Sequence, residues 1–136
     1  MLKYLLDTNI LIYTLRNRPV QVKEIFRRHD KQIGISSVSY GELVYGAEKS
    51  SQPEDNLAVI QAMIARLRVL PFDEEAARHT GQLRLELFRT NRSLGPYDTM
   101  IAGHARSTSL ILVTNKMEEF GRISGLRLES LSKLIQ

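Results

Sequence analysis

The chain has 136 residues, 43% of them hydrophobic and none cysteine, which fits a single domain over residues 1–136 and excludes disulfides, thiolate chemistry and zinc ribbons. No apolar run approaches the ~20 residues of a bilayer span and no secretion leader is recognisable, so a soluble cytoplasmic protein without membrane contact is expected. The net charge of +4 includes 13 arginines and 6 lysines; arginine's planar fork suits a polyanionic partner, although on charge alone a solvated basic surface is the simpler reading.

KYLL (3–6) is a short apolar run that reads as a strand, and TNILIYTLRN (8–17) has the apolar density of a largely buried helix. RPVQVKEIFRRHD (18–30) carries Pro19 in a first-turn position and Val22, Ile25 and Phe26 at helical spacing. QIGIS (32–36) returns to a strand, and Ser36 and Ser37 are natural caps for SVSYGELVYGAEKS (37–50). PEDNLAVIQAMIARL (53–67) places Leu57, Ile60, Ile64 and Leu67 on one face of an amphipathic helix. RVLPF is a short strand; DEEAARHTGQLRLELFRT (73–90) opens with three acids and runs as a long helix. After the turn NRSLG, PYDTMIAGHARS begins a helix with proline, and LILVT is the most strand-like stretch of the chain. GLRLESLSKLIQ adds one more short strand and a helical end. Strands alternating with helices predict an α/β fold, a three-layer α/β/α sandwich around a mostly parallel sheet of four to five strands.

Such sheets place ligands at the carboxyl ends of their strands, and Asp7 leaves the first strand at such an end. It either caps the next helix, as Thr8 or Asn9 also can, or belongs to a site. Glu42 lies in the first half of its helix among Val38, Leu43 and Val44, and a buried glutamate requires a partner. Asp98 is the third residue of a helix opened by Pro96, a position the helix dipole favours by itself. Together the three acids fall near helix starts that follow strands or turns, so they converge on one sheet edge, where their charges call for a cation. Hard oxygen donors without cysteine or a paired histidine motif suit Mg²⁺ or Mn²⁺, and such an ion activates water against a phosphodiester.

These segments resemble the VapC-type toxins among the PIN-domain ribonucleases: LLDTNILIY matches the opening LDTN motif, SSVSYGELVYGAEKS the second acidic helix, GPYDTMIAGHARS the third acidic motif, and LILVTNKMEEF with GLRLES the closing segment. The resemblance spans nearly the whole chain. It implies an endoribonuclease with Asp7, Glu42 and Asp98 as metal-binding carboxylates, acting on RNA, with transfer RNA cut in the anticodon loop as the substrate. It also implies inhibition by a cognate VapB-type antitoxin seated in a groove beside the site, contact with operator DNA only through that antitoxin, and a homodimer formed by the helix after Pro53. Asn9 stands where the family has a residue supporting the acids, or it is an N-cap. Thr114 either orients a metal-bound water or is simply a strand residue.

The chain departs from the family at Lys116, where Asn or Asp usually completes the acidic pocket. The ammonium either weakens a second metal by repulsion, contacts the scissile phosphate, or leaves the role to Asn115. If it abolishes catalysis, the protein is an inactive PIN domain binding antitoxin or RNA. A different class, a phosphoryl-accepting Asp7, lacks the second aspartate that such folds place nearby. His104 lies six residues past Asp98 on another helical face and reads as a partly buried structural histidine, His29 and His79 as surface residues. Tyr13, Tyr40 and Tyr45 suit RNA stacking or an interface, with core packing the commoner role.

Overall fold

The alternation of side chains along three-residue apolar strands decides the architecture. In the computed structural model, which describes residues 1–17 and 20–135, β1 (Tyr4–Leu6), β2 (Ile33–Ser36), β3 (Arg68–Leu70), β4 (Ile111–Val113) and β5 (Leu128–Glu129) form one sheet in the order β3-β2-β1-β4-β5. Every neighbouring pair is parallel. The first-turn role expected of Pro19 lies outside the described residues.

Because successive strand residues point to opposite faces, β1 sends Tyr4 and Leu6 into one core and Leu5 into another. β4 does the same with Val113 and Leu112. The first core is closed by α1 (Thr8–Asn17), α2 (Val20–Arg28), α3 (Ser37–Glu48), α4 (Pro53–Ile64) and α8 (Leu131–Ile135), through Ile10, Ile25, Leu43, Ile60 and Leu134. The second is closed by α5 (Glu74–Arg89), α6 (Pro96–Thr108) and α7 (Met117–Phe120), through Leu83, Ile101 and Phe120. The result is the three-layer sandwich expected, with five strands. A fully buried leucine or phenylalanine contributes about 2–3 kcal/mol, and nearly every strand residue flanking the site belongs to one of these clusters.

The helix starts follow the anticipated chemistry. Ser36 caps α3 by accepting from the Val38 N–H at 3.1 Å, while Ser37 instead accepts from the Phe72 N–H at 2.9 Å. Asp73 caps α5 by accepting from the Ala76 N–H at 2.9 Å. His104 is buried more completely than the sequence suggests: its Nδ1 lies 2.8 Å from the Ser36 hydroxyl and its ring packs edge-on to Phe72. Burial lowers its pKa, so the neutral ring is favoured. His29 and His79 are not plain surface residues. His29 pairs with Gln32 and packs edge-on to Tyr4, and His79 accepts from Arg106 Nε at 3.0 Å.

α5 and α6 pack at unusually short range, and Gly103 permits it. A Cβ added there would stand 2.2 Å from Thr80 Oγ1 and 2.8 Å from its backbone nitrogen. Helix propensity alone would favour alanine by about 1 kcal/mol. Gly103→Ala should nevertheless lose about 1–3 kcal/mol through overpacking; urea denaturation showing a stability gain would refute the close contact.

Candidate active site

Strand order reverses at β1: the chain builds outward to β2 and β3, then returns to lay β4 and β5 on the other side. A crevice therefore opens beyond the carboxyl ends of β1 and β4. The parallel register pairs Leu6 with Val113, and the Asp7 N–H donates to the Val113 carbonyl at 3.0 Å. The next side chains on the two strands, Asp7 and Thr114, must then face each other.

They do, and both are buried. The Thr114 hydroxyl donates to Asp7 Oδ2 at 2.5 Å and accepts the Lys116 N–H at 2.9 Å. The Asn9 N–H donates to Asp7 Oδ1 at 2.6 Å, so Asp7 caps α1 with one oxygen while the other faces Thr114. Of the two roles the sequence posed for Asp7, the cap is present, and it does not exclude the other, since the second oxygen faces Thr114 at the carboxyl end of β4. Asn9 contributes its backbone to this arrangement and its residue to the cleft wall. Thr114 has spent its single proton on Asp7, which makes it a positioning group.

Glu42 reaches the same crevice from α3, half-buried. The Thr8 hydroxyl lies 2.7 Å from its Oε1 and 2.8 Å from Ser39 Oγ. With one proton to give, Thr8 donates to the carboxylate and accepts from Ser39. Sequence reasoning missed this support; the available signal was Ser39, three residues before Glu42 and hence on the same helical face. Asp98 arrives as the third residue of α6 and receives the Lys116 ammonium, whose Nζ lies 2.8 Å from Oδ2. Asn115 is exposed. The charges of Asp7 and Glu119 also act on the Lys116 ammonium.

Glu42 and Asp98 thus line one cleft of about 180 Å³ with Thr8, Asn9, Tyr97 and Lys116, and Asp7 lies buried next to its wall, within reach of the Asp98 charge. That is ample room for ordered water. Burial raises the Asp7 pKa, opposed by the hydrogen bonds from Thr114 and Asn9, and the charge of Asp98 raises it further. Burial also raises Glu42, opposed by Thr8, with Asp98 and Asp7 adding to the rise. Lys116 is raised by its bond to Asp98.

Among the described residues, no three acidic, histidine or cysteine side chains are gathered closely enough to enclose a metal ion as they stand. Each acid is engaged by its own partner instead: Asp7 by Thr114, Glu42 by Thr8 and Asp98 by Lys116. The donor set itself, three hard carboxylates, fits a divalent cation of the Mg²⁺ or Mn²⁺ kind, and the ammonium on Asp98 shows that the cleft attracts positive charge.

Residues 4–125 match the PIN domain family. The chain is 55% identical over 132 residues to the tRNA(fMet)-specific endonuclease VapC of Shigella flexneri, covering 97% of this chain and 100% of that protein. It is 44% identical over 130 residues to Ribonuclease VapC2 of Haemophilus influenzae, covering 96% and 98%. The crystal structure of DNA-bound VapBC from Salmonella typhimurium superposes with a TM-score of 0.93 at 52% identity, covering 96% of this chain and 98% of its counterpart. VapBC2 from Rickettsia felis, bound to a promoter DNA fragment, gives 0.91 at 34% identity, covering 95% and 98%.

The raised Asp7 pKa has a consequence for stability. Between the usual value of 3.8 and the higher folded value, the folded state binds the proton more strongly than the unfolded chain does. Stability from this group therefore falls as pH rises through that window, and the loss is complete above the folded pKa. Asp7→Asn removes the titration, so its stability relative to the native chain should improve as pH rises from about 3.5 to 7. Paired urea titrations in the absence of divalent metal read this directly; a difference independent of pH would contradict the burial argument.

Proposed function

The chain belongs to the PIN-domain family and is an endoribonuclease of the VapC kind, and from this premise we propose that it is the toxin of a VapBC-type pair that cuts initiator transfer RNA in the anticodon loop. What supports the reading most is that Glu42 and Asp98 line one cleft beyond β1 and β4 with Asp7 buried beside it, within a chain whose similarity to a tRNA(fMet)-specific endonuclease extends over 97% of its length. The rival reading of an inactive binding module rests on Lys116 alone. Full-length similarity to named ribonucleases supports the enzyme.

In this reading Asp7, Glu42 and Asp98 hold the divalent ion. VapC nucleases of the PIN family depend on divalent metal; here the hardness of the donors favours Mg²⁺ or Mn²⁺. When bound, the ion supplies the positive charge that acidifies an attacking water and offsets the phosphodiester oxygens. Asn9 and Thr114 fix the Asp7 carboxylate, each using one lone pair and leaving the others unspent. Glu42 keeps Oε1 on Thr8 and offers Oε2 as the atom to receive a proton from water, a role its raised pKa suits. The substrate path is supported by Tyr97 at the cleft rim, 56% exposed. Beyond Pro96 lies a cleft of about 750 Å³ with Arg84, Arg92 and the 82% exposed Phe88. Aromatic faces stack unpaired loop bases and guanidinium groups take phosphates. A transfer RNA substrate places the protein in the cytoplasm, and among the described residues no helix is long and apolar enough to cross a membrane.

The antitoxin site in this proposal is the groove between α1, α3 and α4, lined by Ile12, Leu43, Gly46, Val59 and Ile60, with Glu42 at its edge and Arg16 and Lys49 on its rim. A VapB-type segment with an apolar stripe would fill it, and an arginine reaching Glu42 would compete with metal for the carboxylates. Operator DNA is then reached through the antitoxin, and α4 remains the proposed homodimer face.

Incubated with Mg²⁺ and initiator transfer RNA, the purified chain should yield two fragments cut in the anticodon loop, and EDTA should stop the reaction. Asp7→Asn and Asp98→Asn should each slow cleavage by about 100-fold or more while remaining folded; wild-type rates in either variant would remove the proposed site. Gly46 has nothing within 4 Å of an added Cβ, so Gly46→Arg should keep its fold and its nuclease activity while antitoxin affinity drops at least 10-fold. Unchanged affinity by calorimetry would place the antitoxin elsewhere.

A further inference from the structure

Lys116 is anchored from three directions. Its N–H donates to Thr114 Oγ1 at 2.9 Å, its carbonyl accepts from the Phe120 N–H at 3.1 Å, and its ammonium lies on Asp98 Oδ2. The first two bonds fix the backbone at the entry to α7, and the third directs a long side chain across the cleft instead of into solvent. The Lys116 side chain is 37% exposed and that of Asp98 19%, so the pair is only partly screened. Asp7 and Glu119 also act on the ammonium.

The charge of the cleft limits what else enters it. Asp7, Glu42 and Asp98 against the Lys116 ammonium leave a formal charge of −2 at and beside the cleft wall, which one divalent ion balances; the exposed Glu119 is not part of the lining. A second divalent ion would leave the same excess with positive sign, against an ammonium a few ångströms away. An ammonium has three donors, and Asp98 Oδ2 takes one. The other two are available to an oxygen of the kind a phosphodiester presents.

We propose that Lys116 is the site's built-in second cation: it holds Asp98 in the free protein, restricts the cleft to a single divalent ion, and turns its remaining donors to the scissile phosphate. The phosphate contact rests on the endoribonuclease reading; the restriction to one ion does not require RNA. Lys116 is thus a residue that sets metal stoichiometry, a part played elsewhere by a second ion in two-metal phosphodiesterases.

Mn²⁺ binding to the full chain, followed by electron paramagnetic resonance without RNA, tests this. The native chain and Lys116→Arg should bind one Mn²⁺ per chain. Lys116→Asn and Lys116→Asp, verified as folded by circular dichroism, should bind two, with the first ion about 10-fold tighter. Two ions on the native chain, or one on every variant, would overturn the inference while leaving the nuclease reading intact. No binding by any of them would overturn the metal-dependent reading as well.

Discussion

The structure depends on the pairing of Leu6 with Val113. That register is enforced by burial: shifted by one residue, every apolar side chain of β1 or β4 would turn to the wrong face, and the two cores would each lose a central member. Once it is set, Asp7 and Thr114 are the first residues past the paired ends, and geometry leaves them facing one another in the crevice. The site is a by-product of sheet packing in this sense. No loop has to find the position of its first carboxylate.

The cost of that position is electrostatic. A buried carboxylate loses hydration, and repulsion from Asp98 on both groups and from Asp7 on Glu42 adds to it, so Asp7 and Glu42 are both held toward their neutral forms. Several hydrogen bonds work against this: Thr114 and Asn9 on Asp7, and Thr8 on Glu42, itself supported by Ser39. Charged hydrogen bonds of this kind are each worth about 1.5–3 kcal/mol, enough to keep the acids in place without making them comfortable. A cleft left short of positive charge in this way favours a cation, whether it comes from solution or from Lys116.

The fold was legible from the sequence because its signals are local. Pro53 and Pro96 mark helix starts, Asp73 and Ser36 are caps, and each strand is an apolar run between them. The three carboxylates could be proposed as a set because Asp7 and Glu42 follow the ends of neighbouring parallel strands and Asp98 lies in the first turn of the helix before the next one. What could not be read was partner identity. Nothing local says that Thr8 donates to Glu42 rather than capping α1, or that Thr114 faces Asp7 rather than a water, because both depend on register across strands far apart in sequence. The histidines failed for the same reason: His79 reads as a surface residue until α6 brings Arg106 beside it. Lys116 was identifiable as a departure, and its three possible roles were stated, but only the fold shows its ammonium on Asp98.

Two of the site's acids also serve the helices that carry them. Asp7 is the cap of α1, and Asp98 sits in the first turn of α6, where backbone N–H groups point without partners. A carboxylate at such a position gains about 0.3–1 kcal/mol from the helix dipole, more where partly buried. This gain is present whether or not a metal is bound, and it opposes the mutual repulsion in the free state. Glu42, in the middle of α3, has no such terminus beside it and relies on the hydroxyls of Thr8 and Ser39 instead. The crevice therefore assembles its negative charge from groups that the fold already stabilises for its own reasons. That is why a sheet held by short strands can carry three acids near one crevice, each with its own hydrogen-bond partner.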